Sequence, residues 1–368
     1  MRRSLFAFIR LFLPVTACRD NLLAPHTQKE IAHIEGAAVF LVGRIFNHSE
    51  FALAFTLAMT NHGMIERLEK GSSLMSTDQF SNHAQSYQDD GVVILKQALD
   101  AKTMGMIEAA YAWSHTHLTG ALQDFASDPQ ERFIADTGYS VQESVYLTLL
   151  RESVLPDIVS ALFGGESDVW YMGEQIFYKE SARGTRRTPW HQDSSYNNYF
   201  GPSMAALWIP LDPIPRDCSF EVVRGSHMGT RYNGSRFKPG DDTAPLYSVS
   251  QLPRLPDIES NRDDWEIVGD ALAPGDLMVF HMGSLHGGGA TRPGMRRRSL
   301  TLRFIGDDVV WVERSDTPHP NSSVARRAKA RASGKSVAGA SAGEAAPAPL
   351  GEPLWRSNKF LRVRPWAA

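Results

Sequence analysis

His191 and Asp193 stand two residues apart in the stretch Trp190-His191-Gln192-Asp193-Ser194-Ser195, and a further imidazole, His286, follows in Leu285-His286-Gly287. Side chains alternate along an extended strand, so a His-x-Asp pair presents both groups on one face. An imidazole and a carboxylate one such step apart can hold adjacent positions of a small octahedral ion, with His286 arriving from a distant strand. Two His and one carboxylate on one face of a metal leave its other positions open, the arrangement that suits non-haem Fe(II) oxygenases. Zinc accepts the same donors. With 12 His in the chain, a lone His-x-Asp is no surprise, and the bland reading of any one His is a hydrogen-bonded core or surface residue.

Order and spacing lift the signal. Eleven residues after His286 stands Arg297, and two further on Ser299 opens the strand-like run Ser299-Leu300-Thr301-Leu302-Arg303-Phe304. A guanidinium makes a forked pair with a carboxylate, and a hydroxyl two residues on lies on the same face of a strand. That is the hardware for a dicarboxylate co-substrate whose other end chelates the metal. Arg296 and Arg298 are expected on the opposite face.

The elements that must position these groups are legible in outline. The chain has 368 residues, enough to bury a sizeable core, and an ordinary balance of apolar and charged groups. Its net charge of -3 offers no basic excess for nucleic acid, and two cysteines, Cys18 and Cys218, are too few for a disulfide framework or a Cys-rich zinc site. A reducing compartment, the cytoplasm, is the simpler reading. Residues 1–74 read as an extension with little defined structure. Arg2-Arg3 before an apolar run is signal-like, but Arg10 interrupts it, and Arg44, His48 and Glu50 break the second apolar stretch, so no membrane span is expected. Residues 75–318 form the expected catalytic domain. Residues 319–368 hold a flexible Ala/Gly/Ser-rich segment (325–349) and an aromatic tail that docks back.

Asp100 caps an expected helix carrying Met104, Ile107, Ala110 and Tyr111, and Ser153 caps another that runs to about Phe163, where Gly164-Gly165 stops it. Short strands follow: Val169 to Met172, Gln175 to Tyr178, Met204 to Ile209, Phe220 to Val223, and Leu277 to Phe280 after the turn Pro274-Gly275-Asp276. Many short strands between Gly/Pro turns argue for a sandwich or jelly roll, mainly β with flanking N-terminal helices in an α+β arrangement. The basic loop Arg183-Gly184-Thr185-Arg186-Arg187 is either a solvated surface or a contact for an anionic substrate. Tyr196 to Phe200 should border the substrate pocket.

These residues resemble the phytanoyl-CoA dioxygenase family of Fe(II)/2-oxoglutarate oxygenases. The resemblance runs from Asp90-Gly91-Val92-Val93-Ile94-Leu95 through His191-Gln192-Asp193, Trp208, Gly225-Ser226-His227, Pro274-Gly275-Asp276 and His286-Gly287-Gly288-Gly289 to Arg297-Arg298-Ser299, roughly residues 80–310. Arg224 stands where the family often has Pro, and Cys218-Ser219 replaces a more usual Asn-Gly turn. The resemblance implies a double-stranded β-helix and Fe(II) on His191, Asp193 and His286. It also implies 2-oxoglutarate on that iron with Arg297 and Ser299 at its far carboxylate, lined by Gln192 and Trp208. Dioxygen and a small-molecule substrate complete the set. The implied outcome is succinate formation and hydroxylation of a C–H bond; Asp193 argues against halogenation, since a halogenating relative has a small residue there. By the same resemblance His286 is the ligand and His281, like His227, is not. Two other classes use the same residues, a non-catalytic jelly-roll binding protein and a zinc hydrolase. An intact triad beside an intact clamp argues against the first, and the second leaves Arg297 unexplained.

Overall fold

The computed structural model describes residues 77–119, 122–126, 129–312, 317–318, 350–357 and 359–366. The expected extension 1–74 and the Ala/Gly/Ser-rich stretch 325–349 lie outside the described residues. The described part opens with helices α1 (Thr77–Ser81) and α2 (Ala84–Asp90). Gly91 ends α2 in the left-handed region at φ 70°, where a Cβ would also collide with His227. Strand β1 (Val92–Leu95) leads to α3 (Ala101–Thr116), whose Asp100 cap accepts the Thr103 N–H at 2.7 Å as expected.

Strands β2 (Gln123–Asp124) and β3 (Arg132–Gly138) precede α4 (Ser144–Glu152) and α5 (Leu155–Leu162). Helix α4 was not anticipated, and it changes the role of Ser153. That residue ends α4, donating its N–H to Leu149, while its hydroxyl accepts the Leu155 N–H at 3.4 Å. Gly164 and Gly165, both at positive φ, stop α5 where expected.

The remaining strands are β4 (Val169–Glu180), β5 (Thr188–His191), β6 (Tyr199–Phe200), β7 (Met204–Pro210), β8 (Phe220–Val223) and β9 (Tyr247–Val249). They continue with β10 (Ile267–Val268), β11 (Leu277–His281), β12 (His286–Gly288), β13 (Arg296–Ile305), β14 (Val310–Trp311), β15 (Thr317–Pro318) and β16 (Leu361–Arg364). One antiparallel sheet runs in the order β1-β11-β7-β13-β4-β3-β2, with β16 also on β4; a second runs β10-β8-β12-β5.

Period-two alternation sorts each strand between two cores. Leu207 and Ile209 of β7, Leu277 and Val279 of β11, and Leu300 and Leu302 of β13 pack outward against the helices. Trp208, Met278 and Phe280 point inward and meet Phe220 and Val222 of the second sheet. The two sheets therefore enclose an interior, and the fold is the expected jelly roll with helices outside it.

Strand β4 corrects the sequence reading of two separate strands. It is continuous, with a bulge where Arg303 and Phe304 of β13 face Gly173 and Tyr171, so Met172 is the extra residue. Gly173 sits at φ 138°, and a Cβ there would lie 2.5 Å from the Gly138 carbonyl. The bulge shifts the alternation: Trp170 and Met172 face inward before it, Gln175 and Phe177 line the interior after it. The C-terminal tail packs on the same strand, with Trp355 stacked on Trp170 at 5.4 Å.

Candidate active site

His191 ends β5 and His286 begins β12, and the two are direct cross-strand partners in an antiparallel ladder. Such pairing brings Cβ atoms within about 5 Å, which is how residues far apart in sequence come to have ring centroids 4.1 Å apart. Asp193 is reached differently from the expectation. The strand stops at His191, Gln192 stays extended at φ −115° and ψ 128°, and Asp193 opens a 3₁₀ turn. One extended residue suffices to keep the two side chains on one side. Asp193 Oδ1 lies 3.5 Å from His191 Nε2 and 3.6 Å from His286 Nε2.

Each imidazole donates from Nδ1 to a backbone carbonyl, His191 to Pro189 and His286 to Ser284, both at 2.9 Å. A carbonyl only accepts, so Nδ1 carries the proton and the Nε2 lone pair faces the centre, the orientation a metal requires. The three donor atoms lie within 4.8 Å of one another, all on buried residues. Burial, helped by the neighbouring His191, lowers the His286 pKa. Burial alone would push the Asp193 carboxyl up, but the Arg303 charge, with the imidazoles close by, holds it well below the usual range. Arg303 was not singled out from the sequence. Its Nε and Nη2 reach Asp193 Oδ2 at 3.0 and 2.9 Å, and Nη2 reaches Gln175 Oε1 at 2.7 Å.

Arg297 lies in the same cavity wall as the triad, buried to 4% exposure. Its Nη1 donates to the carbonyls of Cys218 and Gly289, and its Nε has no partner among the described residues. The Thr301 hydroxyl on the same strand face is also buried and unpartnered. Leaving such groups unmade costs about 1–3 kcal/mol each, so the pair fits the end carboxylate of a co-substrate. Ser299 shares that face and is buried, but the hydroxyl lining the cavity is that of Thr301. Burial, with Arg187 nearby, lowers Arg297 to about 10. Lys179, its cross-strand partner, is fully buried, with its pKa well below the usual by burial and by the Arg297 charge.

Trp208 lines the cavity and also stacks on Phe220 at 5.2 Å, so it serves both wall and core. Gln192 does not line it. Its amide donates to the carbonyls of Thr230 and Gly283 and accepts from the Tyr232 N–H, pinning loops behind the site. His281 is held by Gly201 and Gly283, and burial lowers it to about 4; His227 bonds the Gln88 carbonyl. Tyr196, Asn197 and Tyr199 do border the cavity.

The basic loop is already committed. Arg186 bonds the carbonyls of Phe125 and Phe237, and Arg187 pairs with Glu221 at 3.1 Å and Glu259 at 2.6 Å. Glu221 also meets Arg216 and Arg262 at 2.8 and 2.7 Å. Burial pushes its carboxyl up, but these guanidiniums hold it at about 2, below its ordinary 4.5. A depressed carboxyl stabilises fully above its ordinary value and loses that contribution as pH falls toward the folded one. Glu221→Gln should therefore cost about 3 kcal/mol at pH 7, a gap that closes between pH 4.5 and about 2 in thermal unfolding. A gap constant with pH would refute this.

Residues 87–299 match the family model described as phytanoyl-CoA dioxygenase (PhyH). "Phytanoyl-CoA dioxygenase, peroxisomal" of Homo sapiens is 26% identical over 181 residues, 47% of this chain and 50% of that protein. A "Probable phytanoyl-CoA dioxygenase" of Caenorhabditis elegans is 26% identical over 196 residues, 51% of this chain and 54% of that protein. The chain thus spans about half the length of the curated relatives it matches. Among solved structures, the non-haem alpha ketoglutarate dependent epimerase SnoN from nogalamycin biosynthesis is similar with a TM-score of 0.53 at 17% identity, over 78% of this chain and 97% of that one. SnoN in complex with Fe3+, alpha ketoglutarate and nogalamycin RO gives 0.50 at 15% identity, over 66% and 96%. At these identities the likeness is one of fold.

Proposed function

Because the chain belongs to the phytanoyl-CoA dioxygenase family, we propose that it is an Fe(II)- and 2-oxoglutarate-dependent dioxygenase that hydroxylates a C–H bond of a small or mid-sized organic molecule. One observation carries the reading. Three convergent metal donors share a cavity with a buried guanidinium whose Nε–H has no partner among the described residues. His191, Asp193 and His286 hold the iron, and Arg297 with Thr301 takes the far carboxylate of 2-oxoglutarate. Trp208 walls the co-substrate, and Ser299 backs the clamp from the same strand face. Bound there, iron and co-substrate supply dioxygen activation coupled to conversion of 2-oxoglutarate into succinate and carbon dioxide. The SnoN complex with Fe3+ and alpha ketoglutarate agrees with that pairing.

The protein's own groups set the conditions. The rings of Phe280 and Phe220, 4.5 and 5.3 Å from that of His286, exclude water behind it and fix its plane. Tyr196 and Phe237 stack on each other and both meet His191 edge-on, giving flat apolar surface where the substrate enters. Gln123 and Asn197 add amides to that wall. The cations lining the cavity, Arg297 and Arg303, serve the co-substrate and Asp193. The reacting part of the substrate is therefore uncharged, a ring-bearing molecule with polar substituents.

Zinc hydrolysis fits less well. Asp193 is the only carboxylate lining the cavity among the described residues, which leaves no general base beside the metal. We place the enzyme in the cytoplasm, where the free thiol of Cys218 stays reduced. No helix among the described residues is long and apolar enough to cross a membrane. The test is succinate formation from 2-oxoglutarate with Fe(II) and ascorbate, screened for stimulation by neutral ring compounds and by acyl-CoA thioesters. Iron-dependent succinate, raised by the neutral compounds, is the expected result. Zinc-supported hydrolysis without succinate would overturn the reading.

A further inference from the structure

We propose that Arg303 is a positioning residue that keeps Asp193 a one-oxygen ligand and so preserves the open positions of the metal. The inference rests on the reading of Asp193 as a ligand. Asp193 turns Oδ1 toward both imidazoles, while Oδ2 is taken from behind by two N–H groups of Arg303. A carboxylate free to swing can present both oxygens to an ion. The second oxygen would then occupy a position that the chelating co-substrate or dioxygen needs, since the function of the two-His, one-carboxylate set depends on its open face.

The strut is itself braced. Arg303 pairs across the ladder with Gly173, at the edge of the bulge. The bulge brings Gln175 onto the inward face, diagonal to Arg303, where its Oε1 accepts from Nη2 at 2.7 Å. Arginine offers donors only and in a rigid plane, so Nη2 bridges Asp193 and Gln175 while Nε adds a second bond to Asp193. Both charged side chains are largely buried, with 17% and 12% exposure, so the pair is poorly screened by solvent. The plain alternative is a buried ion pair that stabilises the fold and does nothing to the metal.

The two roles separate in the full-length protein with cobalt(II) as the probe, added without air to metal-free samples. Affinity and visible absorption are read, with thermal unfolding of the metal-free protein as the control for folding. Groups that orient metal ligands typically contribute 10–100-fold in metal affinity. Arg303→Leu should therefore bind cobalt about 10–100-fold more weakly, and its spectrum should move toward that of a higher coordination number. Arg303→Lys, which keeps a charge beside Oδ2 but not the fork, should recover most of the affinity and the wild-type spectrum. Gln175→Leu, which removes the brace and spares the ion pair, should shift the spectrum in the direction of Arg303→Leu by a smaller amount.

A folded Arg303→Leu with wild-type affinity and spectrum overturns the proposal. Should Arg303→Leu fail to fold, Gln175→Leu decides, and an unchanged spectrum there counts against the strut. Failure of the wild type itself to bind cobalt at the triad would instead strike the underlying assignment of the ligands.

Discussion

Asp193→Ala is expected to abolish conversion of 2-oxoglutarate to succinate and to destabilise the protein as well. The first loss follows from removing the one carboxylate among three metal donors. The second follows from Arg303, which would be left as a largely buried cation without its counter-charge. Removing one partner of a buried pair costs about 3–5 kcal/mol. His191→Ala should abolish turnover equally, yet it strands no charge, because the imidazole donates only to the Pro189 carbonyl. The two variants should therefore match in activity and differ in thermal unfolding, with Asp193→Ala melting lower. Full turnover in either would sink the metal assignment, and equal melting would mean that Arg303 finds another partner.

The second large effect belongs to the clamp. Arg297→Lys keeps a charge but loses the planar fork, and an ammonium cannot serve the Cys218 and Gly289 carbonyls while presenting a second parallel N–H to a carboxylate. Losing one charge-assisted hydrogen bond, worth roughly 1.5–3 kcal/mol, should weaken 2-oxoglutarate binding by about one to two orders of magnitude. Metal affinity should barely move. Arg298 is the internal control. It points to the outer face, paired with Asp212 at 2.9 Å and Glu108 at 3.1 Å, so Arg298→Lys should affect stability and leave the co-substrate alone. Calorimetric titration of each variant with 2-oxoglutarate decides between them. The reverse ranking would place the clamp on the wrong residue.

How far the sequence carried the site follows from which signals are local. His-x-Asp is written in three residues, and alternation along one strand was enough to put Arg297 inward and Arg298 outward. The same alternation, applied strictly, would have corrected Gln192: if His191 and Asp193 share a face, the residue between them looks the other way, and its amide is found pinning Thr230, Tyr232 and Gly283. It would also have found Thr301 and Arg303, each a further step of two from Ser299. The bulge at Gly173 was hidden because an extra residue in a strand breaks its periodicity, making one strand read as two. Helix α4 went unseen because its apolar residues Val145, Tyr146, Leu149 and Leu150 sit close before the stronger pattern of α5. The committed state of Arg186 and Arg187 was beyond reach, since partners such as Glu221 and Glu259 come from other loops and only folding brings them together.

The central claim is that iron and 2-oxoglutarate meet at His191, Asp193 and His286 beside Arg297. Visible absorption of protein purified without air, loaded with Fe(II) and titrated with 2-oxoglutarate, tests it most directly. A charge-transfer band that grows to saturation at one co-substrate per iron, and that needs a far higher concentration in Arg297→Lys, is the predicted result. Iron-loaded protein in which 2-oxoglutarate raises no band, or raises it equally well in Arg297→Lys, would contradict it.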